Sequence, residues 1–407
     1  MRPQATNTAA LLAESPSSPP LPYAPWAAGI SPAVERELEL ATVAEHPAHT
    51  VDVAVIGAGV AGLSAALGAR AAGATVAVFE AATTIGAGAT GRNAGILSAG
   101  VNMALADVPA ENEDLRAIWP ATNQLLLSLV EESRQPGALV AASLTGSLSL
   151  AERPGAARHL AAEAKARVAV GIRAELWTPA QVAEKTSGRL NTSTVMAALW
   201  MPDEGRIQPL TLLAHLARQA RAAGVSLVGG ARMSALSETT GAAQHSGWDL
   251  QLEDGATIAA RGLILATGPT AEPNARIYAL AFPAELPDDF PLFWDSAPFT
   301  YADYRPGDGR LGVSGGRYGR AGAIARDAHY HRRLTESTRH WLPELAQVAP
   351  SHAWAVDLAV APDMVPQTRV LGERAPGLAI EGLGALGVLP GILLGRRAGT
   401  QVATRVS

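Results

Sequence analysis

The chain has 407 residues, of which 48% are hydrophobic and 17% charged, so it can bury a large core and is too apolar for a disordered protein. Its net charge of -5 provides no overall positive field for gathering phosphates, and we expect no nucleic-acid partner. It has no cysteine, which excludes disulfides, thiolate catalysis and cysteine-ligated metals.

Residues 1–50 are predicted to form a flexible N-terminal arm. The segment is rich in Ala, Pro and Ser, and only Pro32 to Val43 has the spacing of a helix. The alternative is a segment that packs on the body of the protein or on a partner. It contains no apolar stretch of the kind found in a secretory signal, so we expect a cytoplasmic protein.

The most membrane-like run covers residues 377–395, but Glu381, Pro390 and six glycines interrupt it. A lipid-spanning helix seldom tolerates that many interruptions. We therefore predict no membrane association and interpret the run as a buried glycine-rich turn that leads into a helix.

Residues 51–80 have the pattern of a strand, a helix and a second strand. Val51 to Ile56 is an alternating apolar strand, Val60 to Ala72 is an Ala/Leu-rich helix with Gly73 at its end, and Thr75 to Glu80 is the next strand. This order predicts a right-handed crossover between two parallel strands.

Further helices and strands follow along the chain. The predicted helices cover residues 114–132, 156–169 and 210–223, and the predicted strands cover 143–151, 225–228, 248–253, 257–260 and 263–266. A second lobe is predicted from 269 to about 354, because most of the aromatic residues lie there in short strand-like pieces.

A glycine motif, Gly57-Ala58-Gly59-Val60-Ala61-Gly62, lies between the first strand and the helix. Its glycines allow a tight turn, close approach of a pyrophosphate and close packing of helix on sheet, while the helix N-terminus favours the negative charge. Glu80 ends the second strand, where a carboxylate accepts hydrogen bonds from a ribose diol. This context predicts a dinucleotide site.

Two later segments favour a flavin over a nicotinamide. Residues 86–95 form a second glycine-rich stretch, for which a plain NAD dehydrogenase has no use, and Leu263 to Gly268 is a strand that ends in the small turn Ala266-Thr267-Gly268. The chain has no second GxGxxG motif for a nicotinamide. FAD is therefore the predicted cofactor.

With these segments the chain resembles the D-amino-acid oxidase and glycine oxidase superfamily of FAD enzymes, nearest to the gamma-glutamylputrescine oxidase branch. The matching motifs are the first glycine motif, Thr90-Gly91-Arg92-Asn93 with Gly95, Asp203 to Leu210, Ala266 to Gly268, Gly315 to Gly319, Pro362 to Pro366, and Gly382 to Val388. The resemblance covers about residues 51 to 403, in the order found in the family.

The resemblance implies an α/β (α+β) fold, with a Rossmann-type FAD domain of the glutathione-reductase-like kind and a second lobe built on an antiparallel sheet. It implies a discontinuous FAD domain from residues 51–110, 200–270 and 355–407, and a substrate domain from residues 111–199 and 271–354. It also implies oxidation of a carbon–nitrogen bond.

The residues predicted to bind FAD come from five segments. They are Gly57, Gly59, Val60, Ala61, Gly62, Glu80, Ala81, Gly88, Ala89, Thr90, Arg92, Asn93, Ala94, Gly95, Ala266, Thr267, Gly268, Gly384, Ala385, Leu386, Gly387 and Val388. The last glycines precede an apolar helix, whose amides and dipole would stabilise negative charge on the flavin; the alternative is a tight core turn. Because residues 86–100 contain neither Cys nor His, we expect FAD to be bound non-covalently.

Three departures from the family bear on mechanism. The carboxylate-binding arginine of glycine oxidases is missing from residues 354–362, which weakens an α-amino-acid substrate. Ala385 and Leu386 stand where many relatives have His or Arg, and no lysine follows Lys185 to activate oxygen as in sarcosine oxidases.

The candidate catalytic and substrate residues are Arg305, Arg317, Tyr304 and Tyr318. Either arginine would contact an anionic substrate group, against the alternative of a surface ion pair. The tyrosines, together with Tyr301, would line the amine site, against the alternative of sheet packing. No His, Asp and Glu grouping has metal-ligand spacing, so no metal site is predicted.

Three functions stay open at this stage. The first is FAD-dependent oxidation of an amine, in which hydride passes to flavin N5, the imine is hydrolysed, and electrons go to oxygen or another acceptor. The second is an α-amino-acid oxidase or dehydrogenase whose carboxylate contact has moved to Arg305 or Arg317. The third is a non-catalytic flavin-binding subunit. The sequence leaves open whether the chain forms a homo-oligomer or binds a partner subunit.

Overall fold

A computed structural model of the protein describes residues 29–42, 50–240, 246–268, 274–295, 302–358, 360–361 and 363–406, except for the side chains at 240 and 316–318. The α-helices of this part are α1 Pro32–Leu38, α2 Val60–Ala71, α3 Glu113–Arg116, α4 Ile118–Ser133, α5 Pro154–Ala169, α6 Pro179–Lys185, α7 Pro209–Ala222, α8 Asp327–Trp341 and α9 Val388–Val406.

The strands of the first half are β1 Ala41–Thr42, β2 Thr50–Ile56, β3 Val76–Phe79, β4 Ile96–Leu97, β5 Ala142–Leu144, β6 Ser147–Ala151, β7 Glu175–Trp177, β8 Ala197–Met201 and β9 Gly205–Ile207. Those of the second half are β10 Ser226–Gly229, β11 Met233–Thr240, β12 Ser246–Leu252, β13 Thr257–Leu265, β14 Ala275–Pro283, β15 Leu292–Trp294, β16 Ala302–Gly307, β17 Arg310–Arg320, β18 His352–Leu358, β19 Gln367–Val370 and β20 Gly377–Glu381.

A nine-stranded sheet forms the first layer, in the order β1-β10-β3-β2-β13-β12-β11, with β20 paired to β13 and β19 to β20. The strands from β1 to β13 pair in parallel, and β11 and β12 add an antiparallel hairpin. The predicted crossover from β2 through α2 to β3 is confirmed. Its strands are buried on both faces. Helices α2, α7 and α9 cover one face, and a second apolar cluster lies on the other.

Helices α2 and α9 pack at backbone contact. A Cβ on Gly395 would lie 2.3 Å from the carbonyl oxygen of Ala61, and one on Gly399 would lie 2.0 Å from that of Ala65. Glycine at these positions lets α9 lie directly on α2. The glycine-rich run 377–395 is thus β20, a turn and the first half of α9, as predicted. No helix in the described part of the chain is long and apolar enough to span a membrane.

An eight-stranded sheet forms the second lobe, in the order β18-β14-β17-β16-β15-β6-β8-β7. Most neighbours are antiparallel, and β15 with β6 is a parallel pair. A small third sheet has the order β4-β9-β5, and its three strands lie within residues 96–207. The mixed α/β fold agrees with the predicted class. The predicted domain limits at 200 and 355 fall inside β8 and β18, two strands of the eight-stranded sheet.

Several predicted elements differ in extent. The helix predicted over 114–132 is divided into α3 and α4, and the two strands predicted over 257–266 are the single strand β13. The strand predicted over 143–151 is broken into β5 and β6 at Gly146. This glycine has a φ of 71°, and a Cβ there would meet the ring of Trp200.

Part of the predicted N-terminal arm belongs to the folded body, which corrects the expectation of a flexible segment for residues 31–42. Strand β1 adds a parallel edge strand to β10, and Val34 and Leu38 of α1 are buried against α7. Arg221 of α7 donates hydrogen bonds of 2.8 Å to both the carbonyl oxygen and the carboxylate of Glu37. Apolar burial and these bonds hold the segment in place. The rest of the arm lies outside the described residues.

Candidate active site

The first glycine motif forms a turn that excludes side chains. Gly57 has a φ of 102°, and a Cβ there would lie 2.6 Å from the carbonyl oxygen of Ala266. A Cβ on Gly62 would lie 1.8 Å from the carbonyl oxygen of Gly57. Only glycine fits these two positions, and the turn exposes the backbone at the N-terminus of α2. This is a cradle that fits the pyrophosphate of a dinucleotide.

Glu80 lies beside this turn, at the end of β3. Its Oε2 accepts a hydrogen bond of 2.8 Å from the amide of Ala58, and its Oε1 accepts one of 3.0 Å from the amide of Ala82. Two backbone donors thus fix the carboxylate next to the glycine turn. Ala266, Thr267 and Gly268 follow β13 on the other side of the turn, where Thr267 and Gly268 are exposed.

The second glycine-rich stretch is tied to the start of α2. Thr90 Oγ1 accepts a hydrogen bond of 3.2 Å from the amide of Val60, and Asn93 Nδ2 donates one of 2.6 Å to the carbonyl oxygen of Thr90. The amide of Gly95 in turn donates to Asn93 Oδ1 at 2.7 Å. These bonds fix the loop against the glycine turn, although 33 residues separate Gly62 from Gly95 in sequence.

A cavity of about 530 Å³ opens between this loop and the eight-stranded sheet. Its first wall, here the cofactor wall, consists of loop residues that the sequence singled out. They are Val60, Ala89, Thr90, Arg92, Asn93, Ala94 and Gly95 from the first half of the chain and Gly384, Ala385, Leu386, Gly387 and Val388 from the turn before α9. The other predicted cofactor residues, Gly57, Gly59, Ala61, Gly62, Glu80, Ala81, Gly88 and Ala266 to Gly268, are not among the described lining residues and belong to the glycine turn or its neighbouring loops.

The opposite wall is one row of residues that are direct neighbours across seven strands of the eight-stranded sheet, here called the sheet row. In order from β18 to β8 they are Trp354, Ala279, Ser314, Asp303, Trp294, Ser149 and Leu199. Because side chains on such neighbours point to the same face, the register of the sheet alone places all seven in the cavity.

Two aspartates are among the lining residues of this wall: Asp303 in β16, and Asp295, whose carboxylate is bonded by Tyr304 behind the sheet. Asp303 is in the sheet row and accepts a hydrogen bond of 2.6 Å from Ser314 Oγ. Asp295 follows β15 and is 4% exposed. Burial raises the pKa of Asp303 to about 7; the Ser314 hydrogen bond opposes this rise, and the negative charge of Asp295 adds to it.

Helix α5 contributes a third wall with a buried group of three charges. Arg167 donates to Glu163 Oε1 and to Glu204 Oε1, both at 2.7 Å, and both acids are at most 4% exposed. Glu204 also accepts hydrogen bonds from Ser98 and Ser147 at 2.8 and 2.7 Å. Burial works against the charge of Arg167, but the two glutamates outweigh it and raise its pKa. Through Glu204 the trio joins α5 to β6 of the eight-stranded sheet and to Ser98 next to β4.

Two of the four residues predicted to contact substrate lie elsewhere, which corrects that expectation. Tyr304 is next to Asp303 in β16, so it points to the other face of the sheet. There it is fully buried, stacks on Phe293 at 4.2 Å and donates to Asp295 at 3.0 Å. Its role is the alternative one, sheet packing.

Arg305 is on the same face as Asp303 but beyond the end of the cavity. It is 3% exposed, and its Nη2 lies 3.6 Å from Asp308. Burial lowers its pKa to about 10, and Asp308 partly compensates. Arg305 is not among the described residues that line the cavity. Arg317 and Tyr318 belong to β17, but their side chains lie outside the described part of the structure, as does all of Tyr301.

Comparison with known proteins places this geometry in a family. The model of the DAO family, described as FAD dependent oxidoreductase, matches residues 52–400. The chain belongs to this family. It is therefore an FAD-dependent oxidoreductase, and the glycine turn and cofactor wall fit the cofactor that the family implies.

Individual relatives of the DAO family are distant. The chain is 26% identical over 374 residues to a protein of Rhizobium meliloti (strain 1021) named "Probable oxidoreductase OrdL", an alignment that covers 84% of this chain and 82% of that protein. Two solved structures share the fold. Glycine oxidase from Geobacillus kaustophilus has a TM-score of 0.70 at 22% identity, over 88% of this chain and 95% of its own. L-proline dehydrogenase from P. horikoshii has a TM-score of 0.71 at 17% identity, over 88% and 94%. Membership of the gamma-glutamylputrescine branch stays a prediction.

A search of the described residues for groups of three or more His, Cys, Asp or Glu side chains that would hold a metal ion finds none.

Proposed function

We propose that this DAO-family protein oxidises a carbon–nitrogen bond of an amine. The observation that carries the proposal is the chemistry of the sheet row, which faces the cofactor wall across one cavity. Its polar side chains are Ser149, Asp303, Ser314 and two tryptophans, and none of its seven residues is basic. Such a wall suits an amine and offers no cationic side chain to pair with a substrate carboxylate.

The reaction requires removal of a hydride from the carbon and a proton from the nitrogen. Bound FAD supplies the acceptor for the hydride. The chain's own residues hold the amine between the two walls and limit access of bulk water. Water then adds to the imine and releases a carbonyl compound and ammonia or a smaller amine. The electrons pass on to oxygen or to another acceptor, and we propose that the FAD is bound non-covalently.

The names of the solved relatives are consistent with this chemistry, since glycine oxidase and L-proline dehydrogenase are both named for nitrogen-containing compounds. Both have under 25% identity, so their support is limited to the shared fold. An α-amino-acid substrate needs a carboxylate contact, and the position of Arg305 outside the cavity lining removes one of its two candidates. That alternative now depends on Arg317.

The proposal is tested by the visible spectrum of the purified holoenzyme under anaerobic conditions. We expect simple amines to bleach the flavin absorbance. Bleaching by α-amino acids alone would support the second function and contradict the proposal. A flavin that no amine and no amino acid reduces would favour a non-catalytic flavin-binding subunit.

A further inference from the structure

Asp303 occupies the centre of the sheet row. Its direct neighbours on the adjacent strands are Ser314 on β17 and Trp294 on β15. Both neighbours also line the cavity. The carboxylate therefore lies on the substrate side of the cavity, between a hydroxyl group and an indole.

The second carboxylate has a different environment. Asp295 accepts hydrogen bonds from the amide of Ala302 and from the side chains of Tyr304, Ser337 and Trp341, at 3.0 to 3.1 Å. These four donors surround the Asp295 carboxylate, so hydrogen bonds within the protein stabilise its negative charge. Among the described residues, Asp303 accepts a side-chain hydrogen bond from Ser314 and backbone hydrogen bonds from Ser314 and Asp303 itself, and it lines the cavity.

We propose that Asp303 is the counter-ion for an ammonium group of the substrate, so that the cavity selects cationic amines over neutral and anionic molecules of the same shape. The inference rests on the proposed function and names its substrate class. A carboxylate binds an ammonium group by charge-assisted hydrogen bonds, and the neighbouring indole of Trp294 adds an aromatic surface suited to a cation.

The other charged groups around the cavity do not reverse this selection. Glu163 and Arg167 of α5 form the buried trio with Glu204, so the charge of Arg167 is compensated twice. His159 of α5 pairs with Asp107 at 3.0 Å on the exposed side, and Arg92 belongs to the cofactor wall. Among the described lining residues of the sheet, the charged ones are Asp295 and Asp303, both acidic.

Three probes that share a tert-butyl group and differ in charge test the proposal: tert-butylammonium, tert-butanol and pivalate. None has a hydrogen on the central carbon, so tert-butylamine cannot be oxidised to an imine and its binding is measured apart from turnover. Binding is followed by the change in the flavin spectrum of the oxidised holoenzyme, and by calorimetry. We expect the wild type to bind tert-butylammonium most tightly and pivalate most weakly.

The decisive variant is Asp303→Asn, which keeps the shape and removes the charge. We expect its dissociation constant for tert-butylammonium to rise about ten- to hundredfold, with little change for tert-butanol. The matched control is Asp289→Asn, whose side chain is 80% exposed and pairs only with Lys185 among described residues. It should bind all three probes as the wild type does.

A wild-type measurement keeps the test decisive even where the variant does not fold. A carboxyl group with a pKa of about 7 is neutral below that pH and charged above it. The affinity for tert-butylammonium should therefore rise as the pH passes upward through about 7, while that for tert-butanol stays level. The change should persist in His159→Gln, which removes an imidazole that lines the cavity.

Equal affinity for the ammonium and the alcohol, or an unchanged affinity in Asp303→Asn, would overturn the inference. Failure of the proposed function is separate: a flavin that no amine reduces, together with retained charge selection, would refute amine oxidation and leave the cation site standing. Reduction of the flavin by amines without charge selection would support amine oxidation and refute the cation site.

Turnover then distinguishes which ammonium group Asp303 binds. If it binds the reacting nitrogen, Asp303→Asn should raise KM for monoamines and diamines alike. If it binds a second, distant nitrogen, KM should rise for diamines alone. An unchanged KM for both classes would contradict the inference.

Discussion

The two walls of the cavity are built in different ways. The cofactor wall is made of short continuous segments, residues 89–95 and 384–388 with Val60, and the glycine turn behind it works because it lacks side chains. The sheet row takes single side chains from seven strands that span residues 149 to 354.

This difference separates the determinants of cofactor binding from those of substrate choice. In the glycine turn an added methyl group collides with the backbone, so the fold and FAD binding depend on the same atoms. In the sheet row a side chain can change while the backbone hydrogen bonds of the sheet remain. We therefore expect changes near the first wall to affect folding and FAD together, and changes in the second to affect the substrate while FAD stays bound.

The largest effect is expected at the buried trio of α5, which forms the third wall of the cavity. Arg167→Met leaves Glu163 and Glu204 buried without their shared cation, which should lower the free energy of unfolding by about 3–5 kcal/mol. Urea unfolding of the holoenzyme measures it. The control is Arg134→Met, which breaks an exposed pair with Glu131 and should cost less than about 0.5 kcal/mol. A similarly small fall in the free energy of unfolding in both variants would show that the buried trio does not stabilise the fold.

Gly62→Ala should weaken folding and FAD binding together. The new Cβ lies 1.8 Å from the carbonyl oxygen of Gly57, so the turn must shift, at a cost of about 1–3 kcal/mol or more. We expect protein purified with little flavin, as measured by the ratio of visible to ultraviolet absorbance. Gly73→Ala is the matched control, because Gly73 has a φ of 94° but open space around it. It should keep its FAD at a cost of about 1–2 kcal/mol. Full flavin content in Gly62→Ala would refute the cradle.

Asp303 should lower the free energy of unfolding at neutral and alkaline pH. Its pKa is about 7 in the folded protein and ordinarily 3.8, so the folded state keeps a proton that the unfolded state releases between these values. The resulting stabilisation is complete below about pH 4 and is lost as the pH rises to about 7. Asp303→Asn should remove this decline and be about 1–2 kcal/mol more stable than wild type at pH 8. Thermal unfolding at several pH values measures it, and identical pH profiles would contradict the assignment.

The smallest effect is expected for Tyr304→Phe, behind the sheet row. Asp295 loses one of its four donors, which should cost about 1 kcal/mol. FAD content, kcat and KM for an amine substrate should stay within about twofold, because the ring lies on the face away from the cavity. A large fall in kcat would mean that Tyr304 reaches the reacting amine after all.

Local sequence was sufficient for the cofactor side. The glycine motif, its position between a strand and a helix, and Glu80 at the end of the next strand are features of one continuous segment, and they predict a dinucleotide site. Residues 86–95 and the turn 266–268 then favour FAD over a nicotinamide. The same holds for α5, α7 and the turn before α9, because periodicity and glycine positions act over a few residues.

The substrate side was decided by tertiary structure. Tyr304 and Arg305 were reasonable candidates by residue type. However, alternation along β16 places Tyr304 on the face away from the cavity, and Arg305 lies further along the strand, beyond the cavity. Asp303 was not a candidate, although an acid between Ala302 and Tyr304 in an apolar strand was a signal that could have been followed.

The reason is physical. Sequence fixes which residues alternate along a strand, whereas the face that meets the cofactor depends on pairing between strands more than 100 residues apart, such as β6 with β15. The sequence by itself thus determined the fold class and the cofactor. The register of the eight-stranded sheet determined that two tryptophans, two serines and one aspartate face it.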